Sequence, residues 1–190
     1  MSTERILVHS SIVTAFQEAF TQTISQLFGA TSPPLAVICT ASAAKNRALV
    51  SDAVQKGATV LYGDVTAVED VETRMLPVVV GNVTKDMDIF RIESFGPTVS
   101  LYTFDTEEEA VALANDTEYG LAAAVFTEDL KAGLRVARAL DSGAVHINSM
   151  TVHDEFSLPH GGCKKSGFGR FNGQMGLEEF LWTKSVTWNE

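Results

Sequence analysis

Thr98-Val99-Ser100-Leu101-Tyr102-Thr103-Phe104, followed by Thr106-Glu107-Glu108-Glu109, by Leu121-Ala122-Ala123-Ala124-Val125-Phe126 and by Gly143-Ala144-Val145-His146-Ile147-Asn148, is the stretch that decides the fold. The first, third and fourth pieces are short, apolar and bounded by turn residues, which predicts strands. The second is a capping box, with Thr106 offering its hydroxyl and Glu109 reaching back, and predicts a helix to about Asn115. Thr127 is the expected cap of another helix running through Leu140, with Glu128 and Asp129 at its positive end. Strand, helix, strand, helix, strand in that order implies right-handed crossovers. The expected class is α/β: a mostly parallel twisted sheet covered by helices.

Working outward, Arg5 to Val8 reads as a strand and Ser10 or Ser11 as the cap of a helix whose apolar face is Ile12, Val13, Phe16, Phe20, Ile24 and Leu27. Gly29 and Pro33-Pro34 are expected to end it. Ala41 to Lys56 predicts a second helix closed by Gly57. Ala58 to Tyr62 reads as a buried strand, Gly63 to Arg74 as an acidic loop, and Met75 to Val80 as a strand in which Pro77 limits the usable edge. Near the end, Leu177 to Leu181 suits a helical turn or two. Lys184-Ser185-Val186-Thr187-Trp188 alternates like a strand and needs a partner edge, in this chain or in another subunit.

The chain has 190 residues, a formal net charge of -10 and 45% hydrophobic residues. That suits a globular core and disfavours nucleic acid and anionic membrane surfaces, which require a basic face. No apolar run reaches the length of a bilayer span, and Glu4 and Arg5 interrupt any leader-like segment. Cys39 and Cys163 lie far apart, and a reduced cytoplasmic setting with free thiols is expected.

Three segments carry chemistry. In Glu93-Ser94-Phe95-Gly96-Pro97, alternation in an extended segment places Glu93 and Phe95 on one side and Ser94 on the other. A carboxylate beside an aromatic ring suits a nucleotide sugar and its adjoining ring; a surface Glu and a core Phe before a turn is the alternative. Asn148 to Glu155 follows a predicted strand, at the end where parallel α/β sheets place binding loops. There His153 stands beside Asp154 and Glu155, as a general base or as a hydrated loop histidine. Its spacing to His160 matches no common metal motif, and no metal is expected. Gly161-Gly162 and Gly167-Phe168-Gly169 lack the context of a phosphate loop, so these glycines are expected to let backbone pass backbone. Cys163, flanked by Gly162 and Lys164, has two lysines to lower its pKa, but both cysteines are read as structural.

These motifs, with Asn115-Asp116-Thr117-Glu118-Tyr119-Gly120-Leu121-Ala122 and Pro159 to Arg170, resemble the C-terminal part of the NAD(P)-dependent aldehyde dehydrogenases over nearly the whole chain. The resemblance implies that Glu93 binds the nicotinamide ribose and that Phe95 positions the nicotinamide. It makes Met150, Thr151, His153 and His160 a wall of the aldehyde channel, and it makes Arg170 a structural anchor for a carbonyl or carboxylate. Met150 to Glu155 followed by Leu158 to Gly162 is most similar to the vanillin and salicylaldehyde dehydrogenase branch, which implies an aromatic aldehyde. In that family a cysteine thiolate attacks the aldehyde, hydride passes to the nicotinamide, and a glutamate-activated water releases the acid. The family cysteine is typically followed by a segment like Met1 to Val8. The resemblance therefore implies a catalytic domain over residues 1–182 without its nucleophile, base or cofactor domain, and an oligomerisation strand over 183–190. No catalytic residue is expected within the chain. NAD or NADP belongs to the full-length family, with no tight binding expected here. Expected partners are a second copy, through Val186 to Trp188, or a full-length family subunit. A non-catalytic binding or oligomerisation protein derived from the family is the alternative.

Overall fold

A computed structural model describes residues 2–29, 35–67 and 71–190. The strands are β1 (Arg5–His9), β2 (Leu35–Ala36), β3 (Thr59–Tyr62), β4 (Arg74–Met75), β5 (Val78–Gly81), β6 (Thr98–Phe104), β7 (Tyr119–Gly120), β8 (Ala122–Val125), β9 (Ala144–Ile147) and β10 (Cys163–Lys164). The helices are α1 (Val13–Phe28), α2 (Thr40–Gln55), α3 (Asp88–Arg91), α4 (Glu107–Asn115), α5 (Leu130–Ala139) and α6 (Gly173–Glu178). They gather into two compact units, Met1–Ala114 and Asn115–Glu190. Among the described residues no helix is long and apolar enough to cross a membrane.

In the first unit the strands lie in the order β1-β6-β5-β3. β1 and β5 both run parallel to β6, and β3 closes the far edge antiparallel to β5. Every residue of β5 is buried, as expected of a strand covered on both faces. One face of the sheet meets α2 and α3 through Leu49, Val50, Ala53, Val78, Val80, Met87 and Ile89. The other meets α1 through Val8, Ile24, Val79 and Leu101, with Phe16 and Phe20 beside them. The sheet is thus mostly parallel and helix-covered.

The second unit contains the parallel pair β8–β9, the antiparallel pair β7–β10, and helices α5 and α6. The sequence reading placed β6, β8 and β9 in one sheet. Here β6 has both edges occupied, by β1 and β5, so β8 has no edge of β6 to join and pairs with β9 alone. All the large buried apolar side chains among the described residues precede Phe104.

Several boundaries move for local reasons. His9, not Ser10 or Ser11, caps the 3-10 turn before α1, with its ring Nδ1 accepting from the Ser11 amide at 3.1 Å. Asp129, not Thr127, caps α5 by accepting from the Lys131 amide at 2.8 Å; the Thr127 hydroxyl accepts from the Asp129 amide at 3.1 Å. The strand expected over Met75 to Val80 divides around Leu76 and Pro77 into β4 and β5, since proline donates no ladder bond. The expected helical turn begins earlier, at Gly173. Residues 183–190 form no strand in this single chain, and Val186 and Trp188 are 84% and 83% exposed. The Pro33-Pro34 helix stop, Met1, and residues 68–70 of the acidic loop lie outside the described residues.

Candidate functional site

Glu93 to Pro97 follows α3 and leads into β6. Ser94 is 1% exposed, Phe95 is 64% exposed, and Glu93 is half-buried, so Ser94 points inward and its neighbours outward, as expected. The cause is not strand alternation. Phe95 has φ 49°, in the left-handed region, which costs a non-glycine residue about 1 kcal/mol or more. Its surroundings hold it there. The Glu4 carboxylate accepts from the Ser94 amide through Oε2 and from the Phe95 amide through Oε1, each at 2.9 Å. Asn46, fully buried on α2, donates through Nδ2 to the Ser94 carbonyl at 3.0 Å. The Ser94 hydroxyl donates to the Thr98 carbonyl at 3.3 Å. A Cβ on Gly96 would fall on the Asn46 amide group, so glycine is required for this close approach.

Burial, foremost, and then the nearby Glu4 charge raise the Glu93 carboxyl above its ordinary pKa, while Lys45 acts in the opposite sense. A half-desolvated carboxyl beside an outward ring is a donor-seeking group next to an apolar platform. This fits a ribose and its attached ring. Glu93 and Phe95 are thus the residues of this chain that could hold a nucleotide sugar and its ring.

The second unit contains the remaining candidates. β9 ends at Ile147, and Asn148 turns the chain with φ 55°. Its side chain accepts from the Thr127 amide and donates to the Thr127 carbonyl, both at 2.8 Å. The loop that follows is therefore tied to the carboxyl ends of β8 and β9, the predicted place. Met150 is 65% exposed, and Thr151 is half-buried. His153 Nε2 lies 3.0 Å from Glu155 Oε1, and its ring centroid is 5.0 Å from that of His146. His160 is only 9% exposed; it exchanges backbone hydrogen bonds with Phe171 at 2.8 and 2.9 Å, and its ring lies 5.0 Å from that of Phe171. Within this unit Met150, Thr151 and His153 share one loop, while His160 is packed inward.

His146 escaped the sequence reading. Burial, then His153 and His160, lower its pKa, and its Nε2 is buried without a hydrogen-bond partner. A histidine in the otherwise apolar β9 was the available signal. Among the described residues no group of three or more His, Cys, Asp or Glu is arranged to hold a metal ion.

The glycine-rich segment is structural. A Cβ on Gly143 would overlap the Gly161 carbonyl. Arg170 donates through Nη1 to the carbonyls of Gly162 at 2.9 Å and Gly169 at 2.6 Å, as the resemblance implied. The lysines beside Cys163 turn elsewhere: Lys164 to Asp141 at 3.3 Å and Lys165 to Glu118 at 2.6 Å. The Cys163 thiol donates instead to the carbonyls of Gly120 and Asp141, each at 3.4 Å. Cys39 is exposed at the start of α2, and hydrogen bonds from Ser42 lower its pKa.

Comparison with known proteins places this chain. The description "Aldehyde dehydrogenase family" matches residues 1–186. The chain is 37% identical over 192 residues to vanillin dehydrogenase of Pseudomonas sp. (strain HR199 / DSM 7063), covering 98% of this chain and 39% of that protein. A salicylaldehyde dehydrogenase from Pseudomonas putida G7, solved with salicylaldehyde, superposes with a TM-score of 0.85 at 32% identity, over 93% of this chain and 37% of that one. A Staphylococcus aureus betaine aldehyde dehydrogenase in complex with NAD+ gives a TM-score of 0.85 at 36% identity, over 95% and 38%. The chain belongs to the aldehyde dehydrogenase family. It spans about two fifths of the length of the curated relatives it matches.

Proposed function

We propose that this chain contributes the cofactor-facing loop and one wall of the substrate channel to the NAD(P)-dependent oxidation of an aromatic aldehyde to its acid. The observation that carries this reading is the outward presentation of Glu93 and Phe95, with Ser94 locked inward. Glu93 accepts ribose hydroxyls, Phe95 packs against the nicotinamide, and Met150, Thr151 and His153 shape the path of the aldehyde, with His160 behind them. The similarity to vanillin and salicylaldehyde dehydrogenases supports an aromatic substrate. Neither cysteine of the chain takes the part of nucleophile. Cys163 is engaged with backbone carbonyls, and Cys39 stands exposed at the N-terminus of α2, outside both candidate loops. The chemistry thus requires a cysteine, a base and a cofactor domain from outside these residues, in a reduced cytoplasmic setting.

The test is NAD(P)H formation with vanillin and salicylaldehyde. The purified chain alone is expected to show no turnover. The same chain placed behind the N-terminal part of a vanillin dehydrogenase is expected to gain it, and Glu93→Gln to lower it about ten-fold or more. Turnover by the chain alone that survives replacement of both cysteines would overturn the reading. A second reading, a binding or oligomerisation protein, is favoured by one observation: Phe180, Leu181, Trp182, Val186 and Trp188 are all at least 74% exposed.

A further inference from the structure

Glu4 meets the candidate cofactor loop with both of its carboxylate oxygens. Its backbone is fixed first: the Glu4 carbonyl accepts from the Ser100 amide at 3.0 Å, extending the parallel ladder of β1 on β6. Its half-buried carboxylate then receives the Ser94 and Phe95 amides, one on each oxygen, at 2.9 Å, and the Ser2 hydroxyl at 3.3 Å. The two consecutive amides converge on one carboxylate, and the chain turns immediately after them, with Phe95 at φ 49°. Asn46 fixes the carbonyl that lies between those amides. The loop is therefore held from two sides: by a charged group just before β1 and by a neutral one from α2.

The geometry points to Glu4 as a positioning residue for cofactor recognition, whose carboxylate fixes the Ser94–Phe95 bend so that Glu93 and Phe95 face the nicotinamide-ribose half of a dinucleotide. This rests on the reading of Glu93 and Phe95 given above. A carboxylate suits the task better than an amide. It has an acceptor on each arm, whereas glutamine would present an NH2 group to one of the two N–H donors. Its negative charge also acts on Glu93, which Lys45 offsets. The charged groups acting on the loop are thus Glu4, Glu93 and Lys45.

Nitrogen-15 NMR of the whole chain tests this without requiring turnover. Hydrogen exchange at the Ser94 and Phe95 amides is expected to be at least roughly ten-fold faster in Glu4→Gln than in the wild type, and to stay at the wild-type rate in Glu93→Gln. Nicotinamide mononucleotide is then added. It is expected to shift the Glu93, Ser94 and Phe95 signals of the wild type, and to bind Glu4→Gln roughly ten-fold more weakly. Circular dichroism separates this from unfolding. A Glu4→Gln loop with unchanged protection and unchanged nucleotide response overturns the role of Glu4. If the Glu4→Gln loop is released but the wild type ignores the mononucleotide, the clamp stands and the cofactor reading fails.

Discussion

Glu93 shows how a binding residue is charged against the interest of the fold. Its pKa is raised, chiefly by burial and then by Glu4. The folded state therefore holds this proton more readily than the unfolded chain does. The contribution to stability is full below the ordinary glutamate range and is lost as pH rises through the elevated value. At neutral pH the ionised carboxyl is a net liability, so Glu93→Gln is expected to raise the melting temperature by about one or two degrees, allowing for solvent screening of a half-exposed group. The difference should disappear at acid pH. Calorimetry of both proteins across that range checks it; a variant less stable than wild type at neutral pH would contradict the electrostatic account. The cysteines give a second expectation at this scale. Cys39 is exposed with a lowered pKa, whereas Cys163 is half-buried and donates to two carbonyls. Alkylation followed by mass spectrometry of the native chain should modify Cys39 about ten-fold faster than Cys163. The sequence reading weighed activation at Cys163 by its adjacent lysines and called both cysteines structural. Adjacency in sequence did not reveal that both lysines are engaged by Asp141 and Glu118.

Elements were legible where their signals are local. β6 was read at its observed bounds, Thr98–Phe104, since apolar content and turn residues mark both ends. The Thr106 cap of α4 is present, with its hydroxyl accepting from the Glu109 amide at 3.1 Å, although Glu109 reaches back to the Asp105 amide at 2.9 Å and not to Thr106. What the sequence hid is non-local. α3 is four residues long and owes its first amide bond to Asp52 on α2, which accepts from the Asp88 amide at 2.8 Å. No window around Asp88 shows that partner. Likewise, the outward facing of Glu93 and Phe95 was anticipated, but the bend that causes it depends on Glu4, ninety residues earlier. The assignment of β8 to a separate pair followed from the two neighbours of β6, again a fact about pairing and not about composition. The glycine segment was read correctly as backbone meeting backbone, and it supports a sharp prediction. Gly143→Ala places a methyl group on the Gly161 carbonyl at the start of β9. That carbonyl belongs to the backbone and cannot swing aside, so the expected loss of stability is about 3 kcal/mol or more. Denaturant titration would measure it, with Gly167→Ala for comparison; a Cβ at Gly167 meets nothing within 4 Å and costs only the strain of φ 128°.

At the scale of the whole molecule, the two units differ in how they use apolar residues. The buried apolar side chains extend from Val8 to Tyr102. Beyond them, Phe126, Phe156, Phe168, Phe180, Trp182 and Trp188 are all at least 72% exposed. Large exposed aromatics in such number suit a surface that meets a partner. The segment 183–190 adds a strand-like sequence whose backbone has no ladder partner among the described residues, and an open edge of that kind is suited to pairing with another strand. We therefore expect the purified chain to form dimers or larger species through Val186 to Trp188, despite a net charge of -10 that opposes association at low salt. The sign of the salt effect follows: adding salt should screen the repulsion and strengthen association, opposite to an interface built on ion pairs. Sedimentation velocity over a range of concentration and salt measures both. Val186→Lys should shift the distribution toward monomer, since it sets a charge in the proposed seam while leaving the interior of the first unit untouched. A wild-type chain that sediments as a single monomer at every concentration and salt would refute the terminal segment as a joining element.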